Sequence, residues 1–294
     1  MMKQDLIFRQ DYFADPAAFH ALVDLLRDIF GIDIGLLRQF GGPDPTSMPF
    51  GYFDASGQLI GNFTAFSMPL IVNGRIVNAA GYQSGAVRPD YRGRGLYREL
   101  MLKAFEWAEQ SGFEAGILLT DKPDLYRRYG FVAVQQHRFK GDIPRTKGVV
   151  ASRAINLSNK DDVIVLQWLL ANRKPVSNRF SVLRQTELFL LNCCFDPSVT
   201  ISLIENMQAV IAWKAQDNGR LQILDIVATA IPDMATLVQA IMPQCRQIET
   251  CFPPDALDWK AEPFPYKGHC VLMVSGSLQG TLSGDISLSP MAEF

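Results

Sequence analysis

No apolar run in this sequence approaches the ~20 residues a helix needs to cross a bilayer, so no segment is a candidate for spanning a membrane. The stretch Met1-Met2-Lys3-Gln4-Asp5-Leu6-Ile7 has no secretory core and meets an acid at once. The expectation is a cytoplasmic protein. Excess charge of one sign is also missing: 28 Lys and Arg stand against 30 Asp and Glu, a formal net charge of -2. That balance gives no global attraction to nucleic acid or anionic lipid, so any anion site must be local. The chain has only three histidines, none at metal-ligand spacing to a cysteine, and no Cys-x-x-Cys pair. No metal is expected. Cys193, Cys194, Cys245, Cys251 and Cys270 read as buried structural thiols. With 48% hydrophobic and 20% charged residues, the 294-residue chain is globular, long enough for one large domain or two of ordinary size.

Periodicity divides the first half into a strand at Leu6–Phe8, a helix over 17–30 behind Asp15-Pro16, and a strand at Met48–Phe53. A long strand over 59–72 then turns at Asn73-Gly74 into a returning strand over 76–87. A helix over 95–110 carries an apolar face of Leu96, Leu100, Met101, Ala104, Phe105 and Ala108. After Gly112 come a buried strand at Ala115–Thr120, helical turns over 125–129 and a strand at Phe131–Val134. A linker is expected over 141–154, where Pro144, Lys147 and Gly148 interrupt the pattern. The second half repeats the layout more weakly, with helices over 161–170, 185–191 and 233–242. Its strands fall at 199–204, 209–214, 221–227, 247–252 and 270–274. Meander, crossover helix, strand: the order suggests an internal duplication. Ile201, Leu203 and Val271–Val274 either pair across subunits of a homo-oligomer or sit in a covered sheet.

Arg92-Gly93-Arg94-Gly95 lies between a strand and a helix. Glycines let backbone N–H groups approach a ligand, and the helix N-terminus favours an anion. Arg92 and Arg94 add forked donors suited to a pyrophosphate. The bland alternative is a solvated arginine-rich turn. A dinucleotide fingerprint needs a third glycine that is absent, and a Walker loop needs Gly-Lys-Ser/Thr.

The stretch Val87-Arg88-Pro89-Asp90-Tyr91-Arg92-Gly93-Arg94-Gly95-Leu96 resembles motif A of the GCN5-related N-acetyltransferases, Arg/Gln-x-x-Gly-x-Gly/Ala after a Val-x-Pro strand end. Tyr97 departs from the small residue expected last. Leu125-Tyr126-Arg127-Arg128-Tyr129-Gly130-Phe131 resembles the family's later Tyr-x-x-x-Gly-Phe signature. The likeness covers roughly residues 5–140. It is closest to the enhanced-intracellular-survival type, which pairs an active domain with a degenerate second copy, usually followed by a sterol-carrier-like domain. At 294 residues, no full third domain is expected. The resemblance implies an α/β (α+β) GNAT fold, a mixed twisted sheet flanked by helices. Residues 1–145 would form the acetyl-CoA-binding domain and 146–294 the degenerate copy. Asp225-Ile226-Val227-Ala228-Thr229-Ala230-Ile231-Pro232 stands at the second motif A position without glycine or arginine.

The same resemblance implies acetyl-CoA as cosubstrate, held by Gly85, Ala86 and Val87 and by Arg92, Gly93, Arg94, Gly95, Leu96, Tyr97 and Arg98. N–H groups near Ala86 and Val87 would polarise the thioester carbonyl. Tyr126 either donates a proton to the departing thiolate or packs its ring and shapes the pocket. The Phe294 carboxylate is the implied base; a frayed tail is the alternative. Asp121 and Asp124 either attract a cationic amine or form a turn and a helix cap, with the cap favoured for Asp124. Phe30, Phe40, Phe63 and Phe66 read as core before cleft. The acceptor is an amine-bearing small molecule or peptide. The competing reading is a non-catalytic acyl-CoA sensor.

Overall fold

Asp15 starts the first helix chemically: its carboxylate accepts the N–H groups of Ala17 and Ala18, and Pro16 takes the first turn. Gly31, at φ 71°, closes helix α1, Pro16–Phe30. The computed structural model describes residues 6–145, 148–282 and 284–294. The expectations for Met1–Asp5 and for Lys147 lie outside the described residues. The chain forms two compact units. One holds residues up to Ser67 together with Asn78–Leu119; the other holds Met68–Val77 with Thr120–Phe294.

In the first unit, strands β1 (Ile7–Gln10), β2 (Met48–Phe53), β3 (Leu59–Ser67), β4 (Ala79–Val87) and β5 (Ala115–Thr120) lie in that spatial order. The first four pair antiparallel, and β4 pairs parallel with β5. A parallel pair needs a crossover, supplied by helix α2, Leu96–Gln110. Its buried Leu100, Met101, Ala104 and Ala108 follow the expected apolar face. Leu22, Leu25 and Leu26 of α1 pack with Tyr12, Phe53 and Leu59.

The two long strands expected on either side of Asn73-Gly74 are each broken. Leu70–Val72 is a separate strand after β3, and Arg75–Val77 a separate one before β4. Pro69, at the first break, has no N–H to give a ladder. Asn78, at the second, donates its N–H to the Glu114 side chain. The hairpin turn is as expected, with Asn73 and Gly74 both at positive φ. This hairpin belongs to the second unit, where Leu70–Val72 pairs with Phe180–Val182.

After that hairpin the second unit resumes with helix α3, Asp124–Arg127, which Gly130 follows at φ 83°. Strand β6, Gln136–Gly141, was hidden by its polar composition. Strand β7 (Arg153–Ala154) precedes helices α4 (Lys160–Asn172) and α5 (Thr186–Phe195). Strands β8 (Thr200–Ile204), β9 (Ala209–Gln216) and β10 (Arg220–Ala228) form the meander. Helix α6 (Met234–Ile241) then leads to β11 (Gln247–Thr250), parallel to β10. Strand β12 (Ala261–Tyr266), unexpected because Pro263 and Pro265 interrupt it, pairs with β6 at the sheet edge. The spatial order is β7-β8-β9-β10-β11-β6-β12. Strand β13, Val271–Gly276, pairs with Val132–Ala133.

The topology of the first unit therefore recurs: strand, helical segment, three-strand meander, crossover helix, parallel strand. Ile201 and Leu203 are buried in this sheet, which leaves the covered-sheet alternative in place for them. Two of the five thiols, Cys245 and Cys251, are fully buried; Cys193, Cys194 and Cys270 are half-buried, which corrects that expectation. Phe40, Phe63 and Phe66 are core, whereas Phe30 is 51% exposed at the helix end and is not.

Candidate active site

The site starts with a defect in a strand. Between β3 and β4 the register shifts at Asn62/Thr64, and Ser84 adopts φ 58°. This bulge bends β4. Parallel pairing with β5 runs from Ala79 to Tyr82 and reaches no further. Residues 83–87 thus line an opening on the β5 side. Asn62, fully buried, holds the bulge: its Nδ2 donates to Ser84 O at 2.8 Å and to Thr64 Oγ1 at 3.0 Å. Its Oδ1 accepts the buried Tyr12 hydroxyl. Burial raises the Tyr12 phenol well above its ordinary pKa, so it stays a donor. Neither residue was singled out from the sequence; the available signal was one Asn inside the apolar run 59–66.

Arg88 donates its N–H to Ile60 O at 2.9 Å, and Val87 lies opposite Gly61. Backbone groups alternate sides along an antiparallel strand. Val87 therefore turns its N–H and C=O away from β3, into the opening, while Ala86 turns toward β3. The Val87 carbonyl accepts Arg92 Nε at 3.1 Å.

Beyond Val87 the chain makes a short turn at Pro89–Tyr91 and enters α2 through Gly93 (φ 77°) and Gly95 (φ 84°). Both glycines need the left-handed region. Gly95 is the N-cap, and no side chain caps the helix. The first amides of a helix have no intrahelical partner, so this end presents N–H groups and a positive dipole end to an anion. Arg94 Nη2 donates to Asp90 O at 2.9 Å, and its guanidinium stacks 4.6 Å from the Tyr91 ring centroid. Both Arg92 and Arg94 are exposed while anchored to their own loop. Arg88 is tied down by Asp28 at 2.8 Å and by Leu59 O at 2.9 Å.

Tyr97 fits because Gly85 lacks a side chain. A Cβ on Gly85 would lie 2.6 Å from Tyr97 Oη. The Tyr97 ring stands edge-on to Phe63, centroids 5.7 Å apart, and Phe63 continues to Phe105 at 6.1 Å. The departure at Tyr97 is thus matched by the glycine opposite.

The equivalent helix in the second unit is built differently. Asp233 caps α6, its Oδ1 accepting Thr236 N–H at 2.7 Å. A carboxylate already sits where an anion would bind. Asp225 forms a buried ion pair with Arg173 at 2.6 Å and accepts Gln185 Nε2 at 2.7 Å.

The structure gathers Gly85, Ala86, Val87, Arg92, Gly93, Arg94, Gly95, Leu96, Tyr97 and Arg98 in the first unit. Tyr126 and Phe294 belong to the second. Tyr126 is 6% exposed, its ring 6.0 Å from that of Phe131. Phe294 is half-buried behind the buried Met291 and Ala292. Asp124 does not cap α3: Pro123 holds that position, and the Asp124 carboxylate pairs with Arg127 at 2.6 Å. Pro123, at φ −59°, supplies the helical backbone angle at that position, and no side chain caps the helix.

A family model for the GNAT acetyltransferase domain matches residues 44–134. The uncharacterized N-acetyltransferase YhbS of Escherichia coli K12 is 36% identical over 143 residues, which are 49% of this chain and 74% of that protein. A probable N-acyltransferase from Enterococcus faecalis shares the fold over 94% of this chain and 74% of its own, with TM-score 0.61 and 15% identity. Eis1 from Mycobacterium abscessus does so over 91% of this chain and 72% of its own, with TM-score 0.54 and 16% identity. Among the described residues no helix is long and apolar enough to cross a membrane. The YhbS likeness, the matched domain and the glycine loop opening onto α2 agree: the chain belongs to the GNAT family of N-acetyltransferases.

Proposed function

We propose that this chain moves an acetyl group from acetyl-CoA to a primary amine on a small molecule or peptide, by direct attack. The observation that carries this reading is the uncapped N-terminus of α2 beside the opening of β4. The pyrophosphate lies on the amides from Gly93 to Arg98, with Arg92 and Arg94 as flanking charge. The pantetheine arm follows residues 85–87, and Val87 N–H donates to the thioester oxygen as charge develops there. Tyr126 gives its proton to the departing thiolate. A phenol with a reference pKa of about 10 stays protonated at neutral pH and can donate to the sulfur as it departs. The domain containing residues 1–145 performs the chemistry, and residues 146–294 form a degenerate copy. The Asp233 cap and the buried Asp225–Arg173 pair support that inactivity.

The proton acceptor comes from the C-terminal segment. The resemblance names the Phe294 carboxylate; the buried approach of residues 287–292 supports an anchored tail over a frayed one. The test is thiol release from acetyl-CoA against an amine panel, with Tyr126→Phe beside the native protein. The expected result is release with the native chain and a loss of about 100-fold in kcat for the variant. A thermal shift with coenzyme A, but no release with any amine, would replace the transferase with a sensor.

A further inference from the structure

The sheet of the first unit has two unlike faces beside the opening of β4. On one face Asn62 ties Ser84 O, Thr64 and the Tyr12 hydroxyl into a closed hydrogen-bond network. Ala86 lies on that side, in the cluster of Tyr12 with Leu22 and Leu25 of α1. Successive strand residues point to opposite faces, and Gly85 looks the other way. The nearest atoms that a Cβ on Gly85 would meet are Tyr97 Oη at 2.6 Å and Phe63 at 3.0 Å. Gly61 shares this second face, where a Cβ would meet Val87 Cγ2 at 3.1 Å and Leu100 Cδ1 of α2 at 3.4 Å. The rest of the wall is aromatic. Phe63 lies 6.0 Å from Tyr82, and Tyr82 meets Phe105 of α2 edge-on at 4.8 Å, centroid to centroid. Phe63 and Tyr82 are buried, and Tyr97 is half-buried.

We infer that Tyr97 sets the length of the acyl group this chain accepts: its ring takes the volume beside Gly85 that a chain longer than acetyl would enter. The inference rests on the transferase reading above, which runs the pantetheine arm along residues 85–87. An acyl chain beyond the thioester is apolar. The Asn62 face offers it a closed polar network, and breaking those hydrogen bonds leaves buried groups unpaired. The aromatic face suits it better, since each methylene covered by apolar surface gains about fourfold in affinity. Yet that face is full. A carbon on Gly85 already lies inside contact distance of Tyr97 Oη. Phe63 stands edge-on to both Tyr97 and Phe105, so the Tyr97 ring cannot retreat inward. A packed core resists such an insertion. The small residue that the motif resemblance leads one to expect at position 97 would leave this volume open. Tyr97 closes it, and the acyl group that fits is a short one.

The test measures thiol release from acetyl-, butyryl-, hexanoyl- and octanoyl-CoA with one amine that the native protein acetylates. The matching S-alkyl thioethers of coenzyme A, which cannot transfer, are titrated by calorimetry as a reading independent of turnover. Free coenzyme A is titrated as well, to register any disturbance of the loop before α2. The chains compared are the native protein, Tyr97→Phe, Tyr97→Leu and Tyr97→Ala. In the native protein kcat/KM is expected to fall at least about tenfold from acetyl to hexanoyl, and the S-hexyl thioether to bind no tighter than the S-ethyl one. Tyr97→Leu and Tyr97→Ala should raise the hexanoyl-to-acetyl ratio at least about tenfold, with the S-hexyl thioether now the tighter ligand. Tyr97→Phe retains the ring and should keep the native order of chain lengths. Native transfer of octanoyl as fast as acetyl would overturn the inference, as would an unchanged ratio in the Leu and Ala variants. If Tyr97→Ala does not fold, Tyr97→Leu decides. Coenzyme A binding without release from any acyl-CoA by the native protein would remove the transferase reading alone, because the thioether series still reads the effect of Tyr97.

Discussion

An ideal Cβ on Gly85 would meet Tyr97 Oη at 2.6 Å and Phe63 at 3.0 Å. The hydroxyl occupies the volume that a side chain at 85 would need. Gly85→Ala should therefore displace Tyr97 at the first turn of α2 and disturb the amides beside it. Overpacking of this kind costs about 1–3 kcal/mol. We expect a lower melting temperature and a several-fold higher KM for acetyl-CoA. Tyr97→Phe removes the clashing oxygen, so the double variant should regain part of both losses. A double variant no better than Gly85→Ala would mean that Phe63 sets the limit. Asn62 acts one step further back. Asn62→Leu removes the side-chain amide that ties Ser84 O, Thr64 and Tyr12 together. A buried polar group left unpaired costs about 1–3 kcal/mol. Stability should fall by that order in urea titrations, with weaker acetyl-CoA binding because the bulge is no longer held. Native affinity in the folded Asn62→Leu protein would detach the bulge from the site.

Helices α2 and α6 occupy matching places in the two units and begin differently. Gly95 leaves one end open; Asp233 closes the other with a carboxylate. Gly95→Asp should install a competing negative charge at the open end. Gly95→Ala carries the same left-handed backbone cost, which Asp tolerates better. If the anion site is real, the Asp variant loses at least about tenfold more acetyl-CoA affinity than the Ala variant, roughly 1.4 kcal/mol. Equal losses would reduce the effect to backbone strain. Elements like these were legible in the sequence because their signals are local: Asp15-Pro16, Asn73-Gly74, Gly93 and Gly95, the 3.6-residue face of α2. The breaks at Pro69 and Asn78 were less legible. A continuous apolar run does not reveal which partner each part pairs with, and Leu70–Val72 pairs with residues over a hundred positions away. Strand β6 carries Gln136, Arg138 and Lys140, and β12 carries two prolines, so alternation and propensity both pointed elsewhere. At the site, the arginine–glycine loop could be read from four residues, whereas Asn62 matters through burial and partners that only the fold supplies.

Across the whole chain, one order of elements recurs with two different local structures at the bulge. In the first unit, the bulge in β4 opens a strand edge. In the second, the region after the bulge in β10 is filled by protein: Ser289 meets Leu224 O, and Asp225 is locked to Arg173. That pair is 1–2% exposed and bidentate, with Nη1 at 3.0 Å and Nη2 at 2.6 Å from the two carboxylate oxygens. Arg173 Nη2 also donates to Ile226 O, and Asp225 accepts Ile226 N–H and Gln185. Such a network costs much to desolvate, yet losing one partner costs more, about 3–5 kcal/mol, because the other charge stays buried alone. Arg173→Met should therefore destabilise the protein by that amount in urea unfolding followed by circular dichroism. Arg173→Met with Asp225→Asn removes both charges while keeping an acceptor for Ile226 and Gln185. It should recover more than half of the loss. The residual transferase rate per folded molecule should change little in the double variant, since no residue of the loop before α2 is touched. If the double variant is as unstable as Arg173→Met alone, the pair is not the fixed point of the second unit. The C-terminal segment would then owe its position to the hydrogen bonds of Ser287, Leu288 and Ser289 instead.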